Sequence, residues 1–313
     1  MTRVAVVHSG SLVGRELRQQ IAARAERFEE IRVLSTVEEE IGDVTEVAGA
    51  AAFVGRVDEH AFDGIDLAYF CGSIERDREA LAALPPAVAA VLLSRGATAE
   101  DAPAAVAGVG LAGRGGARRL TSPHPATVAA TLLLDRLGPF APRRAVATVA
   151  LPVTVDSDSG LDDLFEESRR LMSFQSPAGR GRQIAFNLTP DATAAAQVER
   201  EIAAALGRPL EVAVQIVRAG VFHGLALSLW VELEPTTDAG ALRRALGGGG
   251  VEVARKPAGV GPVSVAGSER LVVGEVRPGA GGYSIWAAMD NLVRGGALNA
   301  LELGDELLEP PAG

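Results

Sequence analysis

The stretch RVAVVHSGSLVGRELRQQIAARA, residues 3–25, contains the local patterns that decide the fold. Residues 3–7 form a short apolar run, which predicts a buried strand. A turn of Ser and Gly follows, and from Leu12 onward apolar residues recur at helical spacing. A buried strand, a tight turn and a helix in this order begin a parallel α/β sheet.

The same alternation of strand and helix continues to about residue 120. We predict further strands at 31–35, 64–72 and 87–94 and a helix at 75–84, with a mixed pattern over 44–57. Apolar strands that alternate with helices are typical of a sheet covered by helices on its faces. The first part of the chain is therefore predicted to be a parallel sheet with covering helices, a nucleotide-binding type of layer.

The pattern changes after a helix predicted over 125–137, which begins with Pro and is followed by Gly138. Longer strand patterns and amphipathic helices then follow in irregular order, so the second region is predicted to be α+β. The strands are predicted at 145–155, within 212–234 and at 270–277, and the helices at 161–172, 191–206, 239–246 and 290–308.

Composition argues against several classes of function. The net charge of −10, with no basic run, argues against nucleic-acid binding. Cys71 is the only cysteine and the four histidines are scattered, so neither an internal disulfide nor a metal site is expected. No apolar run approaches the ~20 residues of a membrane span, and the N-terminus lacks a signal-peptide pattern. We expect a cytoplasmic protein with no membrane partner.

Several stretches together resemble the aspartate-semialdehyde dehydrogenase family. They are VAVV and LVGREL near the start, SPHPAT (122–127), IAFNLTP (184–190), VRAGVF (217–222) and DNLVRGGALNA (290–300). The resemblance implies a Rossmann-type dinucleotide-binding domain over residues 1–124 and 287–313. It also implies an α+β dimerisation domain over residues 125–286, and a C-terminal helix that returns to the first domain.

The reaction implied by the resemblance is NADPH-dependent reduction of aspartyl phosphate through a cysteine thioester, with a histidine moving protons. The family's N-P-N-C-(S/T)-T turn reads SPHPAT here, which puts Pro125 at the cysteine position. The R-x-P-V-F-x-G-H motif reads RAGVFHGL, which puts Leu225 at the histidine position. No catalytic residue is therefore predicted, except that His223 is either a displaced base or a partly exposed strand histidine.

The cofactor turn also departs from the family's G-A-T-G-x-V-G, because it reads HSGSLVG at 8–14 and keeps only the last glycine in register. Glu38–Glu40, after the second strand, would repel the 2′-phosphate of NADP, although one carboxylate could bind an NAD ribose. We therefore predict no cofactor firmly, leave NAD and NADP open, and disfavour NADP. The candidate cofactor-binding residues are Gly10, Ser11, Gly14, Cys71, Gly72 and Asn299, of which Asn299 is equally well explained as a bridge to a turn.

Arg218 matches the family's substrate-carboxylate arginine, with a surface ion pair as the alternative. Asp156 and Asp158 add negative charge where an anionic substrate would lie. The family's phosphate-pocket segment is shortened, so that Arg95 is its only candidate arginine.

Three hypotheses follow, because nucleophile, base, cofactor turn and phosphate pocket all depart from the family pattern. The first is a non-catalytic binding or scaffold paralogue, similar to the Usg-type paralogues, that forms a homodimer through the second domain or a heterodimer with an active relative. The second is an active NAD(P)-dependent semialdehyde oxidoreductase of altered substrate or mechanism in amino-acid metabolism, with His124 or His223 as base. The third is a sensor that holds a small carboxylate on Arg218.

Overall fold

The computed structural model describes residues 1–110, 116–155, 159–176, 183–234 and 238–309. The strands are β1 (Thr2–Val7), β2 (Phe28–Ser35), β3 (Val44–Val47), β4 (Ala50–Arg56), β5 (Leu67–Phe70), β6 (Ala89–Leu92), β7 (Arg119–Thr121), β8 (Arg144–Leu151), β9 (Leu188–Pro190), β10 (Glu211–Ala219), β11 (Leu225–Glu232), β12 (Val251–Val253), β13 (Leu271–Gly279) and β14 (Gly282–Met289). The α-helices are α1 (Leu12–Ala22), α2 (Ile74–Ala83), α3 (Pro125–Arg136), α4 (Gly160–Met172), α5 (Ala192–Leu206), α6 (Ala239–Leu246) and α7 (Asn299–Leu308).

The chain forms two compact units, residues 1–123 with 296–313 and residues 124–295. Each unit is built on a seven-stranded sheet with helices. This confirms the predicted fold class of a Rossmann-type layer followed by an α+β region.

The sheet of the first unit has the strand order β3-β4-β2-β1-β5-β6-β7. All its pairings are parallel except β3 with β4. The apolar run that predicted β1 lies at the centre, and Val4 to Val7 have no exposed surface. Chain order reverses on either side of β1, so the crevice outside the carboxyl ends of β1 and β5 is the place where such sheets bind ligands.

The sheet of the second unit is mixed, with the order β12-β13-β14-β11-β8-β10-β9. Strands β8 and β10 are parallel, as are β12 and β13, and the other pairs are antiparallel. Helices α3, α5 and α6 pack against these strands. The helix α3 is almost entirely apolar, and its residues 126–134 are all buried. This buried helix holds its first residue, Pro125, within the second unit.

The C-terminal helix is shorter than the pattern over 290–308 predicted. A π-helical turn occupies Val293–Leu298, and α7 begins only at Asn299. The Asp290 carboxylate accepts hydrogen bonds from the N–H groups of Leu292 and Val293, so this aspartate caps the segment instead of continuing a helix. Helix α7 packs on β5 and β6 of the first unit, which confirms that the C-terminus returns to that unit.

None of the helices in the described ranges combines the length and the apolar character needed to cross a bilayer. Within the same ranges, no three His, Cys, Asp or Glu side chains are grouped so as to hold a metal ion.

Candidate functional site

The N-terminus of α3 is the position at which the resemblance places a nucleophile, and its backbone donors are used within the chain. Pro125, the first helical residue, contributes no N–H. His124 is the N-cap, and its Nδ1 accepts a hydrogen bond from the Ala126 N–H at 3.1 Å. The Thr127 N–H donates to the His124 carbonyl at 2.8 Å. The side chain of His124 thus serves helix capping.

A carboxylate from α5 completes this helix end. Glu201 Oε2 accepts hydrogen bonds from the His124 N–H at 3.0 Å and from Thr127 Oγ1 at 2.5 Å. Gln197 Nε2 donates to the other oxygen at 2.8 Å. The positive end of a helix favours a bound anion, and here the chain supplies that anion itself. Sequence reasoning missed Glu201, because no local pattern connects residues 74 or more positions apart.

His124 is also unsuited to act as a base at this position. Desolvation of the ring and repulsion by the Arg218 guanidinium lower the pKa of His124 to about 4, with Asp191 opposing them. The ring is therefore neutral near pH 7, and one of its nitrogens already accepts the Ala126 N–H.

The structure corrects the expectation that His223 lies on a strand. His223 lies in the turn between β10 and β11, and Leu225, at the family's histidine position, is the fully buried first residue of β11. His223 Nε2 lies 2.6 Å from Asp290 Oδ2, and 29% of the histidine side chain is exposed. A histidine held by a buried carboxylate is the arrangement that orients a general base, so His223 remains the candidate base.

Asp290 is held tightly on its own side of this pair. The Gly267 N–H donates to Oδ2 at 2.7 Å, and the Val293 N–H donates to Oδ1 at 2.8 Å. Burial alone would raise the pKa of Asp290, but the hydrogen bonds from His223, Val293 and Gly267 outweigh it and leave the pKa below its ordinary value. The ionised form of this carboxylate is thus built into the fold.

Arg218 lies at the end of β10 beside a cavity of about 250 Å³ in the second unit. Asp191 Oδ2 accepts from Arg218 Nε at 2.8 Å and lies 2.6 Å from Nη2, so the guanidinium is held in one orientation. The other Asp191 oxygen caps α5 through the Ala194 N–H. The arginine side chain is 42% exposed. The ion pair with Asp191 is therefore present, and it holds the guanidinium at the edge of the cavity.

The cavity has a mixed lining. Its apolar lining residues include Leu151 and Val153, and its polar lining residues are Asp163, Gln183, Asn187, Thr189 and Arg218. The amides of Gln183 and Asn187 donate to nearby backbone carbonyls, so they shape the cavity wall. Asp156 and Asp158, which were expected to add negative charge nearby, lie outside the described residues.

Of the predicted cofactor residues, Gly10 and Ser11 lie in the turn between β1 and α1, and Gly14 lies in the first turn of α1. Ser11 is the N-cap of α1, since its Oγ accepts the Gly14 N–H at 3.1 Å and donates to the Cys71 carbonyl at 2.7 Å. A Cβ on Gly14 would lie 2.7 Å from the Ser9 Cα, so this glycine allows the close packing of helix on strand. Gly10 has open space around it apart from Glu40, whose Oε1 would lie 3.9 Å from a Cβ there.

The other predicted cofactor residues already have partners within the first unit. The Gly72 N–H donates to Asp77 Oδ2 at 2.9 Å. Cys71 is 1% exposed, and burial raises the pKa of its thiol well above the ordinary value, so it holds no thiolate. Asn299 has no exposed surface; it accepts the Ala107 N–H at 3.0 Å and donates to Ser122 Oγ at 2.8 Å. The bridging alternative for Asn299 is what the structure contains.

The acidic run Glu38–Glu40 forms a short 3₁₀ turn after β2. Glu38 makes an exposed ion pair with Arg56. Glu40 Oε2 accepts a hydrogen bond from Ser35 Oγ at 2.6 Å, which holds this carboxylate beside the β1–α1 turn. A negative charge at that turn is unfavourable for a pyrophosphate.

No protein-family model matches the chain. The chain is 32% identical to a USG-1 protein homolog of Azotobacter vinelandii over 61% of its length and 62% of that relative. It is 26% identical to an aspartate-semialdehyde dehydrogenase of Rickettsia bellii over 53% of its length and 55% of that relative. These two alignments thus span less than two thirds of either relative.

Other similarities extend over almost the whole chain. A USG-1 protein homolog of Pseudomonas aeruginosa is 29% identical over 98% of this chain and 97% of the relative. The solved structure of a probable aspartate-semialdehyde dehydrogenase from Pseudomonas aeruginosa superimposes with a TM-score of 0.86 at 27% identity, covering 98% of both chains.

Proposed function

Because the chain belongs to the aspartate-semialdehyde dehydrogenase-like family, we propose that it is a member without thioester chemistry that binds a small carboxylate ligand. The observation that carries the first part is the N-terminus of α3. A thioester mechanism needs a thiolate stabilised at this helix end. Pro125 supplies no nucleophile, and the Glu201 carboxylate and His124 Nδ1 accept the local donors.

The second part of the proposal rests on the cavity beside Arg218. Asp191 orients the guanidinium, and burial lowers the pKa of Arg218 without removing its charge. Arginine binds carboxylates through paired N–H donors. Asp163, which also lines the cavity, offers a negative charge for an ammonium group. The favoured ligand is therefore a small amino acid with a carboxylate directed at Arg218.

Activity and ligand binding are tested separately on the purified protein. We expect no turnover with aspartate semialdehyde and phosphate in the presence of NAD or NADP, and no acyl-enzyme by mass spectrometry. We expect aspartate to raise the melting temperature by mass action. Arg218→Ala should abolish that shift, while Arg143→Ala, which removes an exposed arginine paired with Glu234, should retain it. Turnover by the wild-type protein, or an undiminished shift in Arg218→Ala, would contradict the proposal.

The variant Asp163→Asn tests whether the cavity selects an amino acid over a dicarboxylate that has no ammonium group. If the ammonium group contacts Asp163, the variant should lose affinity for aspartate and keep its affinity for succinate. Equal losses for both ligands would restrict the proposal to a carboxylate site.

The second candidate function is an active oxidoreductase of altered mechanism, and the pair of His223 and Asp290 is the observation that favours it. Nε2 and Oδ2 are 2.6 Å apart, as in sites where a carboxylate orients a general base. This candidate would use NAD or NADP and transfer hydride without a covalent intermediate. It requires that His223→Ala abolish a cofactor-dependent turnover that the wild-type protein performs.

For the partner we propose a second copy of the chain, bound through the second unit. One face of its sheet exposes Trp286 by 37% and Val146 by 45%, together with the side chain of Ser228. The register places Trp230 opposite Val146 and Ser284, on the same face. Glu275 and Arg277 lie opposite Trp286 and Ser284 at the border of this face. A sheet face with two tryptophans is suited to association. Sedimentation should give a dimer that Trp286→Glu dissociates, and a heterodimer with an active relative is the alternative outcome.

We propose the cytoplasm as the location.

A further inference from the structure

His8, directly after β1, has a backbone conformation that favours glycine. Its φ is +53°, in the left-handed region. A residue with a Cβ is strained in this conformation, because the Cβ approaches the following carbonyl oxygen. The tight turn that ordinarily contains a glycine at this point is therefore kept, although a histidine occupies it. Contacts of the side chain must offset the strain.

The imidazole ring makes those contacts on both sides of β1. Nδ1 lies 2.5 Å from Asp77 Oδ1, on the side of β5. Nε2 accepts the Thr36 N–H at 3.1 Å and lies 2.9 Å from Thr36 Oγ1, on the side of β2. Because Nε2 accepts a backbone N–H, the ring hydrogen is on Nδ1 and is donated to Asp77. The ring thus connects the turn after β1 with Thr36, directly after β2, and with Asp77 of α2, the helix that follows β5.

The bridge is buried and closely packed. His8 is 5% exposed and Asp77 has no exposed surface. A Cβ added to Gly72 would lie 3.0 Å from His8 Nδ1 and 2.9 Å from Asp77 Oδ1. Gly72 therefore gives the ring its space, and its N–H is bound by the second Asp77 oxygen. The backbone N–H after β2 thus binds the ring itself, and the backbone N–H of Gly72, after β5, binds the carboxylate that holds the ring.

We propose that His8 is an internal occupant of the dinucleotide crevice of the first unit. In sheets of this topology the crevice outside the carboxyl ends of the strands takes the pyrophosphate and ribose of an adenine dinucleotide. His8 spans that place from Gly72 to Thr36, with the Asp77 carboxylate on its Nδ1. The Glu40 carboxylate lies beside Gly10, in the turn that follows His8. The side chain and the dinucleotide compete for the same volume. This inference concerns the first unit and does not depend on the proposed function of the second.

The double variant His8→Gly with Asp77→Asn tests the proposal directly. Glycine adopts the left-handed turn without strain, and asparagine avoids leaving a buried carboxylate without its histidine partner. His8→Asn is the second variant, because asparagine tolerates the left-handed region and has a shorter side chain. His60→Gly, an exposed histidine of the same unit, is the matched control. Circular dichroism and thermal melting show that each variant is folded.

The measurement is binding of NADH, followed by its fluorescence and by calorimetry, with ADP as a second probe of the pyrophosphate site. Wild type and the control should bind NADH more weakly than the double variant by about tenfold or more. In these two proteins NADH must first displace the His8 ring, and breaking the contacts of its two nitrogens costs at least one hydrogen bond. His8→Asn should be intermediate. Equal affinity of wild type and the double variant, or no binding by either folded variant, would overturn the proposal. The comparison of NADH affinities does not depend on whether the protein has dehydrogenase activity.

Discussion

Removing the Glu201 carboxylate tests whether it stabilises the N-terminus of α3. In Glu201→Ala, the His124 N–H and the Thr127 hydroxyl lose an acceptor that they contact at 3.0 and 2.5 Å. Hydrogen bonds to a charged group contribute ~1.5 kcal/mol or more each, and the helix dipole adds ~0.5 kcal/mol. Because Glu201 is half-buried, water replaces part of the lost hydrogen bonding in the variant. The expected loss of unfolding free energy is therefore about 2–3 kcal/mol.

This loss is measured by calorimetry and by urea denaturation followed by circular dichroism. For a folding unit of this size, it corresponds to a fall in melting temperature of roughly 5–10 °C in the transition of the second unit. Glu201→Gln retains the acceptor and should lose only about 1 kcal/mol. Glu79→Ala, at an exposed position on α2, is the control for removing a helical glutamate. A Glu201→Ala protein within ~0.5 kcal/mol of that control would refute the reasoning, because the helix end would not depend on this carboxylate.

The remaining predictions concern the same helix end. In the folded protein the pKa of His124 is about 4, below its ordinary value of 6.5. The unfolded chain therefore binds the proton more readily than the folded one. The free energy of unfolding should be highest above pH 6.5 and fall by up to about 3 kcal/mol as the pH drops to 4. His124→Asn keeps an N-cap and should flatten this stretch of the stability profile, and an unchanged profile would rule out His124 as its source. In Pro125→Cys, the neighbouring Glu201 carboxylate should keep the thiol pKa from falling, and adding Glu201→Gln should lower it by about one unit. Alkylation rates against pH measure this difference, with the buried Cys71 unreactive in the folded protein, and equal rates in both variants would contradict the role given to the carboxylate.

The strand and helix positions could be read from the sequence because they depend on local periodicity. The Pro125 start and the Gly138 end of α3 were predicted to within a residue, since proline and glycine act through their own backbone. The alternation in the first part of the chain gave the parallel sheet for the same reason. One exception was the stretch from Asp290 to Leu298, where side-chain capping and a π-helical turn replaced the predicted helix. The three-residue strands β7 and β9 were not predicted either.

The departures from the family pattern were also visible in the sequence, because Pro125 and Leu225 lack the required functional groups whatever their surroundings. What replaced those groups was not visible. Glu201 lies 77 residues from His124, and Asp77 lies 69 residues from His8. Hydrogen bonds between such distant residues form only when the sheets and helices have brought them together. The sequence by itself determined the elements and the missing nucleophile, whereas the tertiary structure decided which side chains occupy the helix end and the crevice, because occupancy depends on distances that no local pattern encodes.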